Sequence, residues 1–140
     1  MRMALEESKK ALPNCRPNPP VGCVVVRRGE VIAKGFTQPP GQHHAEAMAL
    51  ASLESPLDHV TVFVTLEPCS FHGRTPSCAR LLVERGIKKV FVAMLDPHPK
   101  NRGAGIDILN EAGVETDVGL LEAEVKEFLE PYLIRAPLKL

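Results

Sequence analysis

The feature that most constrains this fold is a series of short apolar runs rich in β-branched residues. The runs lie at residues 21–26, 60–66 and 89–95. Runs of this length and composition predict strands that are buried on both faces of a sheet. The turn RRGE follows the first run and leads into a partner strand at 31–36, which predicts a β-hairpin. A further strand is predicted at 114–118, so we expect five strands.

Helices are predicted around these strands from the spacing of apolar residues. Pro76 suits the first helical position after an N-cap at Thr75, which places Cys78 in the first turn of its helix. Strands joined through helices run parallel, and right-handed crossovers place helices on both faces. The sequence therefore predicts an α/β fold with a mixed sheet that is antiparallel only at its first hairpin. The predicted helices cover residues 3–12, 43–53, 76–85, 105–112 and 121–132.

Length and composition limit the functions that are open to the chain. The 140 residues are expected to form a single domain, 1–140. Basic and acidic residues number 17 each, which argues against a nucleic-acid partner that would need a broad positive field. The chain has no apolar run long enough for a membrane span, and its first residues lack the pattern of a secretory signal. We therefore expect a cytoplasmic protein with no nucleic-acid or membrane partner.

Three side chains suited to metal binding follow different strands of the predicted sheet. His44 begins a helix, Cys69 ends a strand, and Cys78 begins the next helix. In α/β sheets, sites gather beyond the carboxyl ends of strands, where the following helices begin. Two thiolates and one imidazole suit Zn²⁺, and three protein ligands leave a fourth position for water in a catalytic site. A lone buried cysteine is usually structural, so the prediction depends on the combination.

Glu46 is the candidate proton carrier. Zinc can lower the pKa of water that it binds from about 15.7 to about 7, and hydrolysis still requires an acid/base group. Glu46 lies two residues after His44, a spacing that points side chains to nearly opposite sides of a regular helix. Bringing both side chains into one site therefore depends on the geometry of the first turn.

The segments HHAEAMAL and TLEPCSFHGRTPSCARLL resemble the zinc-dependent cytidine deaminase superfamily. Eight residues separate Cys69 from Cys78, so the short Cys-x-x-Cys form is absent. This longer spacing, together with PNPPVGCVVV and DPHPKNRGAGI, is similar to the pyrimidine deaminases of riboflavin biosynthesis. The resemblance covers nearly the whole chain and implies a three-layer α/β/α cytidine deaminase-like fold.

The resemblance also implies roles for individual residues. His44, Cys69 and Cys78 match the zinc ligands, and Glu46 matches the proton shuttle. Arg74 carries a planar donor fork that suits a phosphate. Contacts with the substrate are implied for a set of four residues, namely Asn18, Ala45, His72 and Arg74.

The implied reaction is the zinc-dependent hydrolytic deamination of 2,5-diamino-6-(5-phosphoribosylamino)pyrimidin-4-one, with release of ammonia. The implied partner is therefore a small-molecule pyrimidine nucleotide. Many bacterial relatives carry a reductase domain after the deaminase, and this chain is expected to contain none. Because relatives commonly form dimers or tetramers, we also expect a homo-oligomer.

Four positions depart from the family pattern and leave other substrates open. Thr37 and Phe71 stand where histidines are expected, His98 where asparagine is common, and Ser77 where proline is common. A deaminase of the same superfamily that acts on another aminopyrimidine, nucleoside or purine base is therefore an alternative. A non-catalytic zinc module is a third hypothesis. It predicts a closed site with four ligands, whereas the sequence offers three ligands beside an acid/base residue.

Overall fold

The computed structural model describes residues 1–71, 73 and 75–133. In this part of the chain, five strands and five α-helices lie within or close to the predicted segments. The strands are β1 (Gly22–Arg27), β2 (Glu30–Phe36), β3 (Val60–Leu66), β4 (Lys89–Met94) and β5 (Glu115–Val118). The helices are α1 (Arg2–Lys9), α2 (Ala45–Ala51), α3 (Cys78–Glu84), α4 (Ala104–Glu111) and α5 (Glu122–Leu129), and a 3-10 turn follows at Glu130–Tyr132. None of the helices in the described residues is long and apolar enough to cross a membrane.

The five strands form one mixed sheet in the order β2-β1-β3-β4-β5. β1 runs antiparallel to both of its neighbours, whereas β3, β4 and β5 are parallel. The prediction of a mixed sheet is confirmed, but the prediction that only the first hairpin is antiparallel is wrong. β2 and β3, which α2 connects, do run in the same direction. They are not neighbours, because β1 lies between them and so adds a second antiparallel pairing.

Helices cover both faces of the sheet. α2, α3 and α4 contribute to a core that includes Leu50, Leu82 and Leu109. α1 and α5 contribute to a second core around Leu66 and Met94. Consecutive residues of β1 face the two layers, since the backbone of Gly22 abuts α1 while Cys23 belongs to the core under α2. The structure thus has the predicted three-layer α/β/α architecture.

α2 approaches β2 closely, and this contact fixes the helix that follows His44. A Cβ built on Gly35 would overlap the carbonyl oxygen of Ala45 and would lie 2.7 Å from the backbone nitrogen of Ala49. Only a residue without a side chain leaves room for this approach. β2, β3 and β4 run in one direction and end at the same edge of the sheet. The first turn of α2 is thereby held at the edge where predicted site residues also follow β3.

Candidate active site

Three possible ligand atoms meet beyond the carboxyl ends of β2 and β3. Nδ1 of His44 lies 3.8 Å from Sγ of Cys69 and 3.4 Å from Sγ of Cys78. All three atoms lie within 4.8 Å of one another. In a tetrahedral site with Zn–S of about 2.3 Å and Zn–N of about 2.0 Å, nitrogen and sulfur ligands are about 3.5 Å apart. The predicted trio is therefore positioned to hold a metal ion, and its spacing fits zinc.

The start of α3 holds the two cysteines together. The backbone N–H of Cys78 donates to Sγ of Cys69 at 3.2 Å. The carbonyl oxygen of Cys69 accepts from the Ala79 N–H at 3.1 Å and from the Ser77 hydroxyl at 2.8 Å. The sulfur and the carbonyl group of Cys69 are consequently both hydrogen-bonded to the residues that begin α3.

The predicted beginning of this helix is wrong. Ser77, and not Thr75, is the N-cap, because its Oγ accepts from the Arg80 N–H, and Pro76 precedes the helix. Cys78 is the first helical residue, which agrees with its predicted place in the first turn. The Ser77 hydroxyl can cap α3 while it also binds the cysteine loop.

Thr75 contacts His44, one of the three candidate ligands, instead. Its Oγ1 lies 3.1 Å from Nε2 of His44. A neutral histidine that binds metal through Nδ1 carries its proton on Nε2, so this nitrogen can donate to the Thr75 hydroxyl. The contact orients the imidazole with Nδ1 toward the sulfur atoms, which is the role of a partner behind a metal ligand.

His44 and Glu46 come together because His44 is not inside the helix. His44 is the N-cap of α2, with an extended backbone at φ −74° and ψ 171°, and Glu46 lies in the first turn. The helical spacing rule therefore does not separate them. Both side chains line the same cavity.

The Glu46 carboxyl is buried, with 4% of its surface exposed. This burial raises the pKa of Glu46 to about 7, and the negative charge of the Cys69 thiolate acts in the same direction. A group that titrates near neutral pH can both accept and donate a proton under ordinary conditions. The site thus contains a carboxyl suited to acid/base chemistry.

The two thiols differ in acidity. The hydrogen bond with Cys78 lowers the pKa of Cys69 to about 4, and the hydrogen bond with His44 adds to the effect. The interaction with Cys69, together with burial, raises the pKa of Cys78. The pair therefore favours one thiolate and one thiol before a metal binds. A metal held by both cysteines would displace the second proton, because coordinating cysteines are thiolates.

A cavity of about 480 Å³ adjoins these groups and has His44, Glu46 and Cys69 in its wall. A cavity of this size is typical of a binding site for a small molecule. The same wall holds residues from the loops before β1 and after β2, β3 and β4. The candidate metal and acid/base residues and the loops that could bind a substrate therefore line the same cavity.

Of the two predicted substrate contacts that the structure describes, one lines this cavity. Asn18, in the loop before β1, lies in its wall. Ala45 is fully buried at the first position of α2 and is absent from the wall. His72 and Arg74 lie outside the described residues.

Thr37 is one of the departures from the family pattern. Its side chain forms hydrogen bonds with the loop that carries Asn18. Its side chain is 4% exposed. The Thr37 Oγ1 accepts from the Val21 N–H at 2.9 Å and donates to the Pro19 carbonyl at 3.1 Å. The residue thus closes one side of the cavity through hydrogen bonds with the neighbouring loop.

Phe71 and His98 form another part of the cavity wall. Their rings are tilted by 40° with centroids 6.1 Å apart, and Phe71 is 43% exposed. The Lys100 N–H donates to Nδ1 of His98 at 3.1 Å. The proton of a neutral His98 is therefore on Nε2, which makes this nitrogen a hydrogen-bond donor.

The fold and the His/Cys/Cys group define a zinc-binding deaminase domain. The model of the cytidine and deoxycytidylate deaminase zinc-binding region matches residues 1–94, and the chain belongs to this family.

Comparison with individual proteins places the chain near the riboflavin-pathway members. It is 48% identical over 124 residues to the riboflavin biosynthesis protein RibD of Actinobacillus pleuropneumoniae, covering 89% of this chain and 33% of the relative. A solved deaminase/reductase from Thermotoga maritima, described as a diaminohydroxyphosphoribosylaminopyrimidine deaminase and 5-amino-6-(5-phosphoribosylamino)uracil reductase, is 44% identical. It superposes with a TM-score of 0.88 over 94% of this chain and 38% of its own.

A more distant solved structure has a different substrate. The dCMP deaminase of the cyanophage S-TIM5, in complex with dCMP and dUMP, is 26% identical and covers 84% of this chain and 91% of its own, with a TM-score of 0.65. By contrast, the chain spans about a third of the length of the riboflavin-pathway relative from Actinobacillus pleuropneumoniae.

Sequence reasoning missed two buried polar residues beside the site, Glu67 and Asn101. Their exposed fractions are 3% and 0%. The available signal for Glu67 was its position two residues before the Cys69 ligand in LEPC. Asn101 carries no such local signal, because its partners beside Cys69, namely Ser70 and Pro68, are 31 and 33 positions away in the chain.

Proposed function

We propose that the protein catalyses hydrolytic deamination of 2,5-diamino-6-(5-phosphoribosylamino)pyrimidin-4-one. Water replaces the 2-amino group with oxygen, and ammonia leaves. The observation that carries the proposal is the joint placement of His44, Cys69 and Cys78 beside the buried Glu46 in one small-molecule cavity. The similarity to riboflavin-pathway deaminases supports this choice of substrate.

The metal ligands in this proposal are His44, Cys69 and Cys78. Bound zinc supplies a Lewis acid that makes water nucleophilic near neutral pH. Three protein ligands are typical of a catalytic zinc site, whereas a structural zinc site is normally closed by four. The proposal therefore favours a catalytic function over a non-catalytic zinc module.

Glu46 moves the protons. It accepts one proton from the attacking water and delivers it to the ring nitrogen. It then accepts the second proton from the hydroxyl group added to the ring and delivers it to the departing amine. The raised pKa of Glu46, about 7, makes the carboxyl competent in both directions. Its carboxyl and the metal ligands share the cavity, so no long-range proton transfer is needed.

Asn18 contacts the base, because its amide can both donate and accept hydrogen bonds along a heterocycle edge. Ala45 contributes through its backbone N–H, since the first N–H groups of a helix have no partner within that helix. Arg74 pairs with the phosphate, and His72 is a second polar contact. These contacts orient the substrate in the proposal, with its base at Asn18 and its phosphate at Arg74.

The experiment compares the rates of ammonia release from the phosphoribosyl pyrimidine, its dephosphorylated form, dCMP, cytidine and guanine. The proposal predicts the highest kcat/KM for the phosphoribosyl compound. Glu46→Gln should retain zinc while losing about 10²- to 10⁴-fold in turnover. Glu54→Gln, which changes an exposed residue in the loop after α2, is the matched control. A preference for dCMP or guanine would refute the proposed substrate but not the proposed zinc-dependent deamination.

We also propose a cytoplasmic location and a homo-oligomer, either a dimer or a tetramer. The four cysteines are free in the structure, which agrees with a reducing compartment. Light scattering of the purified protein tests the oligomer. A monomer at micromolar concentration would contradict this part of the proposal.

A further inference from the structure

The side chain of Asn101 holds the chain on both sides of the metal ligand Cys69. Its Oδ1 accepts from the Ser70 N–H at 2.9 Å. Its Nδ2 donates to the Pro68 carbonyl at 3.3 Å. Ser70 and Pro68 are the two neighbours of Cys69, so one fully buried amide fixes the peptide groups that flank the ligand.

Glu67 secures the loop from which Asn101 reaches Cys69. One carboxylate oxygen of Glu67 accepts from the N–H groups of Asp96 at 3.1 Å and Gly103 at 3.0 Å. The other oxygen accepts from the Ile106 N–H at 3.1 Å. The residue at the end of β3 is therefore bonded to both ends of the segment that contains Asn101.

Gly105 lets this segment pack directly on the ligand loop. A Cβ built on Gly105 would overlap the Pro68 carbonyl oxygen and would lie 3.2 Å from Cγ of Glu67. A larger residue would push the two segments apart. The close approach and the hydrogen bond from Nδ2 of Asn101 act on the same Pro68 carbonyl group.

Asp96 completes the arrangement. Its Oδ2 accepts from Nδ2 of Asn101 at 3.3 Å, and its Oδ1 accepts from the His98 N–H at 3.0 Å. The amide of Asn101 therefore has a defined orientation, with its donor group toward two oxygens and its acceptor toward an N–H. A carboxylate at this position could not supply the donor.

We propose that Asn101 is a positioning residue for the Cys69 zinc ligand, acting through the two peptide groups that flank it. Without Asn101, Cys69 gains freedom to leave the metal while the remainder of the core stays folded. Partners behind a metal ligand typically contribute about 10- to 100-fold to metal affinity. The inference depends on the proposed zinc site and adds a residue that is far from it in sequence.

The test measures the rate of zinc transfer to a colorimetric chelator under native conditions, together with zinc affinity by competition. Asn101→Ala should weaken zinc binding by about 10- to 100-fold. Asn101→Asp, which has nearly the same shape, should also weaken it because the carboxylate cannot donate to Pro68. The cobalt-substituted variants should show an altered thiolate-to-metal absorption band, which reports on the sulfur ligands directly.

Leu109→Ala is the matched control for general destabilisation. Leu109 is buried on α4 and belongs to the core under the sheet. This variant should unfold more easily but keep zinc affinity within about threefold of the parent, a bound well below the effect expected at Asn101. Asn110→Ala, which loses an exposed hydrogen bond with Thr116, controls for removal of an asparagine at a position on α4 away from the Cys69 loop.

The outcomes separate this inference from the proposed function. Zinc affinity within about threefold of the parent in both Asn101 variants would overturn the positioning role. An equal loss in Leu109→Ala would also overturn it, since the effect would then reflect general stability. A parent protein that binds no zinc would instead refute the proposed function. If Asn101→Ala fails to fold, Asn101→Asp and its cobalt spectrum still decide the question.

Discussion

The Glu46→Gln variant tests how much the folded protein is destabilised when the buried Glu46 carboxyl ionises. Burial raises the pKa of Glu46 from an ordinary value of 4.5 to about 7 in the metal-free protein. The folded state therefore binds the Glu46 proton more tightly than the unfolded chain does. Ionisation destabilises the fold, so the loss begins as pH rises above 4.5 and is complete above about 7.

The size of the effect follows from the two pKa values. One pH unit of pKa is worth about 1.4 kcal/mol, so the difference between 4.5 and about 7 corresponds to about 3 kcal/mol. Glutamine fills a similar space and does not ionise. The free energy of unfolding of Glu46→Gln, relative to the parent, should therefore increase by about 3 kcal/mol between about pH 4 and about pH 8.

Denaturant titrations of chelator-treated protein at the two pH values measure this change. The comparison with the parent at each pH removes contributions from other titrating groups that the variant leaves unaltered. Glu54→Gln controls for the loss of a carboxyl outside the site, since Glu54 is exposed. An unchanged difference between Glu46→Gln and the parent at both pH values would refute the reasoning, because it would show that burial does not penalise the Glu46 charge.

Three further substitutions test individual contacts. Thr75→Val removes the hydroxyl beside His44 and should weaken zinc binding by about 10- to 100-fold in chelator competition, while Thr75→Ser should not. Thr37→Val breaks the link to the loop that carries Asn18 and should raise KM about fivefold with kcat nearly retained, the equivalent of about 1 kcal/mol. A matching fall in kcat would contradict this role. Gly35→Ala forces a methyl group into the α2 backbone and should lower the free energy of unfolding by about 1–3 kcal/mol. An unchanged melting temperature would show that α2 can move aside.

The central strands could be predicted because a strand that is buried on both faces has an uninterrupted run of apolar residues in the sequence. Val24 and Val25 are both buried although they face opposite sides of the sheet, which is why an uninterrupted apolar run predicts a central strand. The position of β1 between β2 and β3 is a choice among pairings of the whole sheet. No single segment encodes that choice, and the number of antiparallel pairings was consequently mispredicted.

The residues that form the candidate metal site could be predicted from the sequence, whereas the contacts that support them mostly could not. His44, Cys69 and Cys78 have side chains that only a few functions use together, so their residue types carry information. Thr75 and Ser77 are both hydroxyl residues next to Pro76, and local rules cannot decide which one caps the helix. Ser77 is the N-cap of α3, and its hydroxyl also donates to the Cys69 carbonyl. This second contact exists only after β3 and α3 have packed together.

The three candidate ligands are distant in the chain: Cys69 follows His44 by 25 positions, and Cys78 follows it by 34. Zinc held by these three side chains would therefore be a cross-link that joins the start of α2 to the start of α3. A chain in which α2 has not docked retains only the nearby cysteine pair and loses the third ligand. A metal that binds only the folded state stabilises that state by mass action. Tight zinc binding would therefore indicate that both helices have reached their native positions.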